Sequence, residues 1–412
     1  MSTKKKGSSK KPWVLPRHTL FRRVLGLVFL PYVKRKYNVK ITTYDGDDRP
    51  MLILYNHQTG YDQFFVGGAF RRPVYYVATE DIFSMGFVSK LIKYLVAPIP
   101  IKKQTTDARA VINCIRVAKE GGAIAIAPEG NRTYSGETVY IKPSITSLAR
   151  HLRLPIALFR IEGGYGVQPR WSDVVRKGEM KAGVSRVIEP EEYKDMSDDE
   201  LYRLICDGLY QNEACVDGEY HSPVLAEYLE RAIYVCPDCG LSEFYSKGDV
   251  ISCKRCGKKI RYTPSKELVG VDSEFPFRFV KDWYDYQSEF VTRLNLSDMP
   301  HQALYTEKVD LYEVLLYKKK RKIYEGAEIS LFTDKITIKA GDNSYDFGFD
   351  ALTAISVLGK NKLNIYFDGR VYQIKPDERF CALKYVNIYY RYKNIIKGDE
   401  NEREQRYTFL GL

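Results

Sequence analysis

Between residues 41 and 190 the chain repeats one hydrophobic pattern: a short apolar run, a polar break, then a stretch with helical spacing. The runs are residues 51–55, 74–78, 123–127 and 155–161, each of the length expected of a buried strand. Within 106–120, Ala108, Val111, Ile112, Ile115 and Ala118 recur at three- and four-residue spacing, which predicts a helix with one apolar face. Gly121-Gly122 ends that helix and the next run follows at once. Strands alternating with helices predict an α/β domain over 41–215, with a mostly parallel sheet covered by helices. Sites in such sheets gather outside the carboxyl ends of the strands. The segments after residues 55 and 127 are therefore where chemistry is expected.

The pattern changes further on. Residues 275–294, which hold Phe275, Phe277, Phe279, Trp283 and Tyr284, read as an aromatic helix inside a connector at 265–299. After about residue 300 the period becomes two, with strands expected at 311–317, 328–332, 336–338, 345–349, 363–367 and 371–374. Asp334-Lys335, Gly341-Asp342-Asn343 and Asp368-Gly369 supply turns. A helix over 378–394, with Phe380, Leu383, Val386 and Tyr390 on one face, closes a β-rich domain at 300–398. Bent antiparallel sheet followed by helix resembles the pleckstrin-homology-like and GRAM-like group at the level of pattern. Such modules bind lipid headgroups or protein tails; the ligand of this one is left unknown, and packing or dimerisation is an equal alternative.

Charge modifies the picture at the N-terminus. The net charge is +12, yet residues 1–40 hold twelve Lys and Arg and no acidic residue, while the remainder carries 52 of each sign. That asymmetry predicts docking of an arm on an anionic membrane surface rather than a basic body that wraps nucleic acid. Behind a Lys/Ser/Gly tail comes an uncharged run of ten residues, 24–33, then Lys34-Arg35-Lys36. Ten residues of helix span roughly 15 Å, about half of a hydrocarbon core of roughly 30 Å. A signal peptide is disfavoured, because Lys34-Arg35-Lys36 stands where small residues should mark cleavage. An interfacial helix is expected instead, although packing of this helix on the protein's own core stays open. The expected location is the cytoplasmic face of the cell membrane, peripheral or monotopic.

Directly after the first apolar run stands Asn56-His57-Gln58-Thr59-Gly60-Tyr61-Asp62. An imidazole can take a proton from a hydroxyl near neutral pH. A carboxylate on its far nitrogen would hold the productive tautomer and stabilise the imidazolium. The alternative is a polar loop whose Asn and Asp cap a helix starting near Tyr61. After the 123–127 run comes Pro128-Glu129-Gly130-Asn131-Arg132, a tight turn placing Glu129 and Arg132 three residues apart. An arginine there can grip a phosphate with paired donors; the alternative is a surface ion pair worth little. Lys102 and Lys103, which close the extended Pro98-Ile99-Pro100-Ile101, are a weaker candidate pair.

These blocks, with Leu154-Pro155-Ile156-Ala157-Leu158, resemble three of the four ordered blocks of the glycerolipid acyltransferase family, which includes 1-acyl-glycerol-3-phosphate acyltransferase. The resemblance covers roughly residues 20–215. It implies that His57 is the general base, oriented by Asp62, and that the alkoxide attacks an acyl thioester with no acyl-enzyme. It further implies that Glu129, Gly130 and Arg132 hold the acceptor, the arginine on its phosphate. The donor would be acyl-CoA or acyl-ACP, and the acceptor lysophosphatidate, giving phosphatidate. Lys102 or Lys103 stands where the second block usually has arginine, which loosens the identity of the acceptor, and Asn131 and Thr133 replace the usual Thr and Ser. Other lysolipids, a transacylase donor and a catalytically silent scaffold are the alternatives.

Of eight cysteines, four form Cys236-x2-Cys239-Gly and Cys253-x2-Cys256-Gly, the spacing of a zinc ribbon over 232–264. Four thiolates leave no open position, so the zinc expected here is structural. Nothing else suggests the oxidising compartment that disulfides need. Lys254, Arg255, Lys258, Lys259 and Arg261 raise a nucleic-acid reading, which the balanced charge around them opposes. Cys114, Cys206, Cys215 and Cys381 read as buried thiols rather than ligands.

Overall fold

The four apolar runs become inner strands of a seven-stranded sheet in the computed structural model of the protein, which describes residues 11–101, 108–315 and 318–397. In chain order the strands are β1 (Val39–Ile41), β2 (Leu52–Tyr55), β3 (Val74–Thr79), β4 (Ile99–Ile101), β5 (Ala123–Ile126), β6 (Ile156–Glu162) and β7 (Met180–Ile188). Their spatial order is β1-β7-β6-β2-β5-β3-β4. Every neighbouring pair is parallel except β6 with β7. Side chains alternate between the two faces, as a pleated strand requires. Ile53, Ala125 and Phe159 pack on one side, and Leu52, Leu54 and Ile124 on the other.

Helices cover both faces. Val33 and Tyr37 of α1 (Pro16–Tyr37) and Phe65 and Val66 of α2 (Asp62–Ala69) pack on the first. The second receives α4 (Ala108–Lys119), α5 (Ser144–Leu152) and α8 (Asp198–Leu209) through Val117, Ile145 and Ile205. Helix α3 (Phe87–Val96) lies beside α1, and α6 (Gly164–Val167) and α7 (Pro190–Tyr193) are single turns. Pro16 opens α1, where its missing N–H costs nothing, and Asn38 in the left-handed region closes it behind Lys34, Arg35 and Lys36. Only part of α1 packs on the core: Leu20, Val24, Leu27, Val28 and Tyr32 are exposed. Among the described residues no helix is long and apolar enough to cross a membrane.

Beyond residue 230 the strands are short and antiparallel. They are β8 (Val235–Cys236), β9 (Gly240–Leu241), β10 (Phe244–Lys247), β11 (Val250–Cys253), β12 (Lys259–Tyr262) and β13 (Leu268–Gly270), the last four forming one sheet. The aromatic helix α9 spans Val280–Thr292, later than the pattern predicts. Pro276 biases the backbone before it away from helix, and Phe275 instead packs its ring 4.9 Å from that of Trp283. The final sheet holds β14 (Tyr305–Glu313), β15 (Arg321–Leu331), β16 (Lys335–Ala340), β17 (Asn343–Gly348), β18 (Ala354–Leu358), β19 (Lys362–Phe367) and β20 (Arg370–Pro376). Its order is β17-β16-β15-β14-β20-β19-β18, followed by α10 (Ala382–Lys397).

Three expectations in this half shift. The first strand starts at Tyr305 rather than 311 and ends at Glu313, while residues 316–317 of that prediction lie outside the described residues. Strand β18 has no counterpart in the prediction, because Ala354, Ile355, Ser356 and Val357 are all buried and show no period-two alternation. The last helix begins at Ala382 rather than 378, because the Asp377 carboxylate accepts the N–H groups of Arg379 and Phe380 and holds that stretch as a turn. A single apolar core runs from Tyr134 and Trp171 of the first domain through the cysteine-bearing strands and α9 into the final sheet and α10.

Candidate active site

Strands β2 and β5 are parallel neighbours, so their carboxyl ends lie side by side and the loops that follow them meet. This brings His57 and Glu129, 72 residues apart in sequence, into contact. Asp62, the first residue of α2, is fully buried and sits where a helix N-terminus favours negative charge. Its Oδ2 accepts from His57 Nδ1 at 2.7 Å and from the Gln58 N–H at 2.7 Å. Its Oδ1 accepts from the Thr59 N–H at 2.8 Å and Thr59 Oγ1 at 2.7 Å. The carboxylate thus organises the loop ahead of α2 and holds the imidazole, but the expected Asn/Asp helix cap is absent: the N-cap is Tyr61, with no side-chain cap. With Nδ1 committed to Asp62, Nε2 is the nitrogen left to exchange a proton.

Asn56 fastens the end of β2 to β6. Its amide donates to the Ile161 carbonyl at 2.9 Å and accepts from the Ile161 N–H at 2.8 Å. Glu129 does comparable work from β5. One carboxyl oxygen accepts the His57 N–H at 2.9 Å and the other the Val139 N–H at 3.1 Å. It is 1% exposed, and burial pushes its carboxyl up to about 8 against the opposing pull of those two N–H groups. Gly130 turns the chain at φ 68°, a left-handed conformation that suits glycine.

His57 retains 27% of its side-chain exposure and, with Glu129, Gly130 and Arg132, lines a cavity of about 1020 Å³. Ligand pockets are typically about 300–1,000 Å³, so this one has room for long chains. Its walls are mainly apolar and come from α1 and α3 as well as the sheet, with Phe21 and Leu25 of α1 and Leu91 and Leu95 of α3 among them. Among the described residues the Arg132 side chain has no carboxylate partner. Burial, then the neighbouring Arg170, lowers its guanidinium to about 10. Lys102 and Lys103 lie outside the described residues; Ile101, which precedes them, lines the cavity. Val139 and Arg170 lie outside every motif, and Thr59, inside the 56–62 stretch, carries no expected role, although it stands three residues before Asp62, a spacing that local side-chain turns use.

The second cluster is Cys236, Cys239, Cys253 and Cys256, whose sulfurs all lie within 4.8 Å of one another. Cys236 Sγ and Cys256 Sγ are 3.7 Å apart. Zinc–sulfur bonds of about 2.3 Å in a tetrahedron put sulfurs about 3.8 Å apart, so the set fits such an ion. Gly240 and Gly257, at φ 72° and 75°, turn the chain after each pair. Of the other cysteines, Cys114 and Cys381 are buried as expected. Cys206 is half-buried, and Cys215 is exposed on the loop beyond α8, contrary to the expectation of a buried thiol.

Residues 33–161 match the family model described as Acyltransferase. The 1-acyl-sn-glycerol-3-phosphate acyltransferase of Bacillus subtilis (strain 168) is 21% identical over 165 residues, 40% of this chain and 79% of that protein. The crystal structure of the 1-acyl-sn-glycerophosphate (LPA) acyltransferase from Thermotoga maritima is 17% identical, with a TM-score of 0.37, covering 46% of this chain and 90% of that one. The matched segment contains His57, Asp62 and the Glu129 to Arg132 block in the order the resemblance requires, so residues 33–161 are similar to the acyltransferase family.

Proposed function

We propose that this protein transfers a fatty acyl group from a thioester, acyl-CoA or acyl-ACP, to the hydroxyl of a lysophospholipid, 1-acyl-sn-glycerol-3-phosphate, giving phosphatidate. The observation that carries this reading is the His57–Asp62 pair at 2.7 Å on the wall of an apolar cavity that also holds Arg132. His57 Nε2 takes the proton of the acceptor hydroxyl as its oxygen attacks the thioester carbonyl. Asp62 steadies the imidazolium through Nδ1–H. The tetrahedral intermediate collapses, the C–S bond breaks, and the imidazolium returns its proton to the departing thiolate. The cavity takes acyl chain, and Arg132 pairs with the acceptor phosphate. Glu129 serves this site by holding the His57 backbone.

Exposed apolar residues on α1 and α3 flank the cavity, supporting entry of both lipids from a membrane surface, with the basic arm facing anionic lipid. We place this surface at the cytoplasmic face of the cell membrane. The four cysteines would hold one zinc ion, which supplies cross-linking rather than catalysis because its coordination is closed. The final sheet and helix are read as a pleckstrin-homology-like module.

The test is turnover of labelled acyl thioester with a panel of lysolipids, for wild type and His57→Ala. The variant should fold and lose at least about 10³-fold in kcat. Unchanged turnover in His57→Ala would refute the mechanism, and no turnover by wild type with any acceptor would favour a scaffold.

A further inference from the structure

Arg170 lies between α6 and β7, in none of the sequence blocks, yet it touches the loop that carries Arg132 and a hairpin almost 190 residues away. Its Nη1 donates to the Arg132 carbonyl at 2.7 Å. From the same guanidinium, Nε donates to the Gly359 carbonyl at 2.7 Å and Nη2 to the Val357 carbonyl at 3.3 Å. Val357 ends in β18, and Gly359 is in the turn that leads to β19. The guanidinium stands 4.3 Å over the Tyr134 ring, and the Tyr134 hydroxyl donates to the Lys360 carbonyl at 2.5 Å in the same turn. Three carbonyls and one ring therefore fix the backbone of 132–134 against the β18–β19 hairpin.

This arrangement is costly for a linker. Arg170 is 5% exposed and, among the described residues, pairs with no carboxylate. A buried charge lacking a counter-ion is unfavourable unless something else uses it. A hydrophobic contact would join the two units at less expense, and Trp171 next in sequence already makes one, fully buried in the shared core. The hydrogen bonds of Arg170 do something Trp171 cannot: they fix the Arg132 carbonyl in direction as well as position. The Arg170 guanidinium also adds to the positive field at Arg132, which burial and this neighbouring cation together push below the usual arginine range. Neither guanidinium has a carboxylate in direct contact among the described residues, and with Arg132 lining the cavity and Arg170 behind it the local field favours an anion at Arg132, although the Asp62 carboxylate offsets part of it.

We propose that Arg170 is a positioning residue for the acceptor's phosphate, and that the β18–β19 hairpin is thereby a working part of the acyltransferase site. This rests on the reading that Arg132 receives that phosphate. The C-terminal sheet then helps the enzyme distinguish phosphate-bearing acceptors from uncharged ones. None of the hydrogen bonds that hold the catalytic pair involves Arg170: Asp62 accepts from the Gln58 and Thr59 N–H groups, and Glu129 accepts from the His57 N–H.

The experiment is steady-state kinetics on the full chain, comparing wild type with Arg170→Met, Arg170→Lys and Tyr134→Phe. Lysophosphatidate and a 1-acylglycerol lacking phosphate are each varied at saturating thioester, and thioester is varied in turn. Arg170→Met should raise KM for lysophosphatidate about 10- to 100-fold, while kcat and the thioester KM stay near wild type. Arg170→Lys should fall between, because an ammonium is a point charge that cannot span three carbonyls. Tyr134→Phe, which removes one bond to the hairpin and keeps Arg170, should raise the same KM by a smaller factor. The 1-acylglycerol should show no change in kcat/KM with any of the three. Equal losses for both acceptors, or an unchanged KM with a lower melting temperature, would overturn the assignment and leave Arg170 as a structural tie. If Arg170→Met does not fold, Arg170→Lys and Tyr134→Phe decide the matter by the same KM. His57→Ala separates the two levels: its loss of turnover with lysophosphatidate tests the acyltransferase reading without involving Arg170.

Discussion

Asp62 shows how much one carboxylate can organise when every lone pair has a donor. It receives His57, two backbone N–H groups and the Thr59 hydroxyl, all from the five residues before it. The local spacing offered the imidazole contact as one of two readings, and the structure makes it, because five residues joined by a tight loop leave little freedom. Glu129 was legible only in part. Its motif marked it as an acceptor-holding residue, whereas both its oxygens are spent on backbone N–H groups. That difference has a pH consequence. Its carboxyl rises from an ordinary 4.5 to about 8 on burial, so between these values the folded protein binds more protons than the unfolded chain. Stability therefore falls as pH rises through this window. Denaturation midpoints of Glu129→Gln measured from pH 5 to 8 should close on wild type as pH rises, since the variant lacks this titration. A difference that stays constant across the range would contradict it.

At the scale of elements, α3 carries the clearest mismatch between composition and burial. Phe87, Leu91 and Tyr94 repeat at helical spacing, yet they face outward at 78%, 44% and 57% exposure. Its only buried residue is Ser89, which anchors the helix by accepting from the Met85 N–H and donating to the Ile82 carbonyl. Sequence reading placed the apolar surface expected at a membrane in α1 alone; α3, packed beside it, adds further exposed apolar residues, and Arg17 ties the two by donating to the Tyr94 carbonyl at 2.9 Å. Burying one large apolar side chain is worth about 1.5–3 kcal/mol, against about 1 kcal/mol for each lysine near an anionic surface. Phe87→Ser should thus weaken binding to phosphatidylserine-containing vesicles by about tenfold or more, measured by flotation, with the melting temperature unchanged. Wild-type binding in that variant would remove α3 from the docking face. Strand β18 illustrates the opposite limit. A strand buried on both sides has no alternation to read, and Ser356, fully buried, breaks the apolar run that might have replaced it as a signal.

For the whole molecule, the cysteine cluster is more than an appended knuckle. Cys236 and Cys253 belong to the same apolar core as Trp283 of α9, Leu311 of β14 and Val386 of α10. Apparent binding free energies for structural zinc are about 10–16 kcal/mol in small fingers, comparable to the stability of an entire domain at about 5–15 kcal/mol. Metal analysis should find about one zinc per chain, and a strong chelator should lower the melting temperature of the whole C-terminal half. Full stability after zinc removal would refute the structural role. The first domain should feel the loss too, since Asp173 joins Arg231 at 2.8 Å and Lys360 at 2.5 Å. Burial opposes ionisation of that carboxyl, but the two cations hold it down to about 2.

The sequence by itself determined the alternation of strands and helices, the zinc-spaced thiols and the His57–Asp62 pair, because each is a local pattern set by strand or helix period, or by a few residues of turn. Tertiary structure alone decided what those parts face. Parallel pairing of β2 with β5 placed Glu129 under the His57 backbone. Packing of α1 beside α3 made a lipid-sized cavity from helices that each leave apolar residues outside. The shared core carried the β18–β19 hairpin to the back of Arg132, where Arg170 joins them. The physical reason is that a hydrogen bond to a backbone carbonyl selects no residue type at the acceptor. Gly359 and Val357 could hold no trace of Arg170 in their identity, and only the folded chain brings them within its reach.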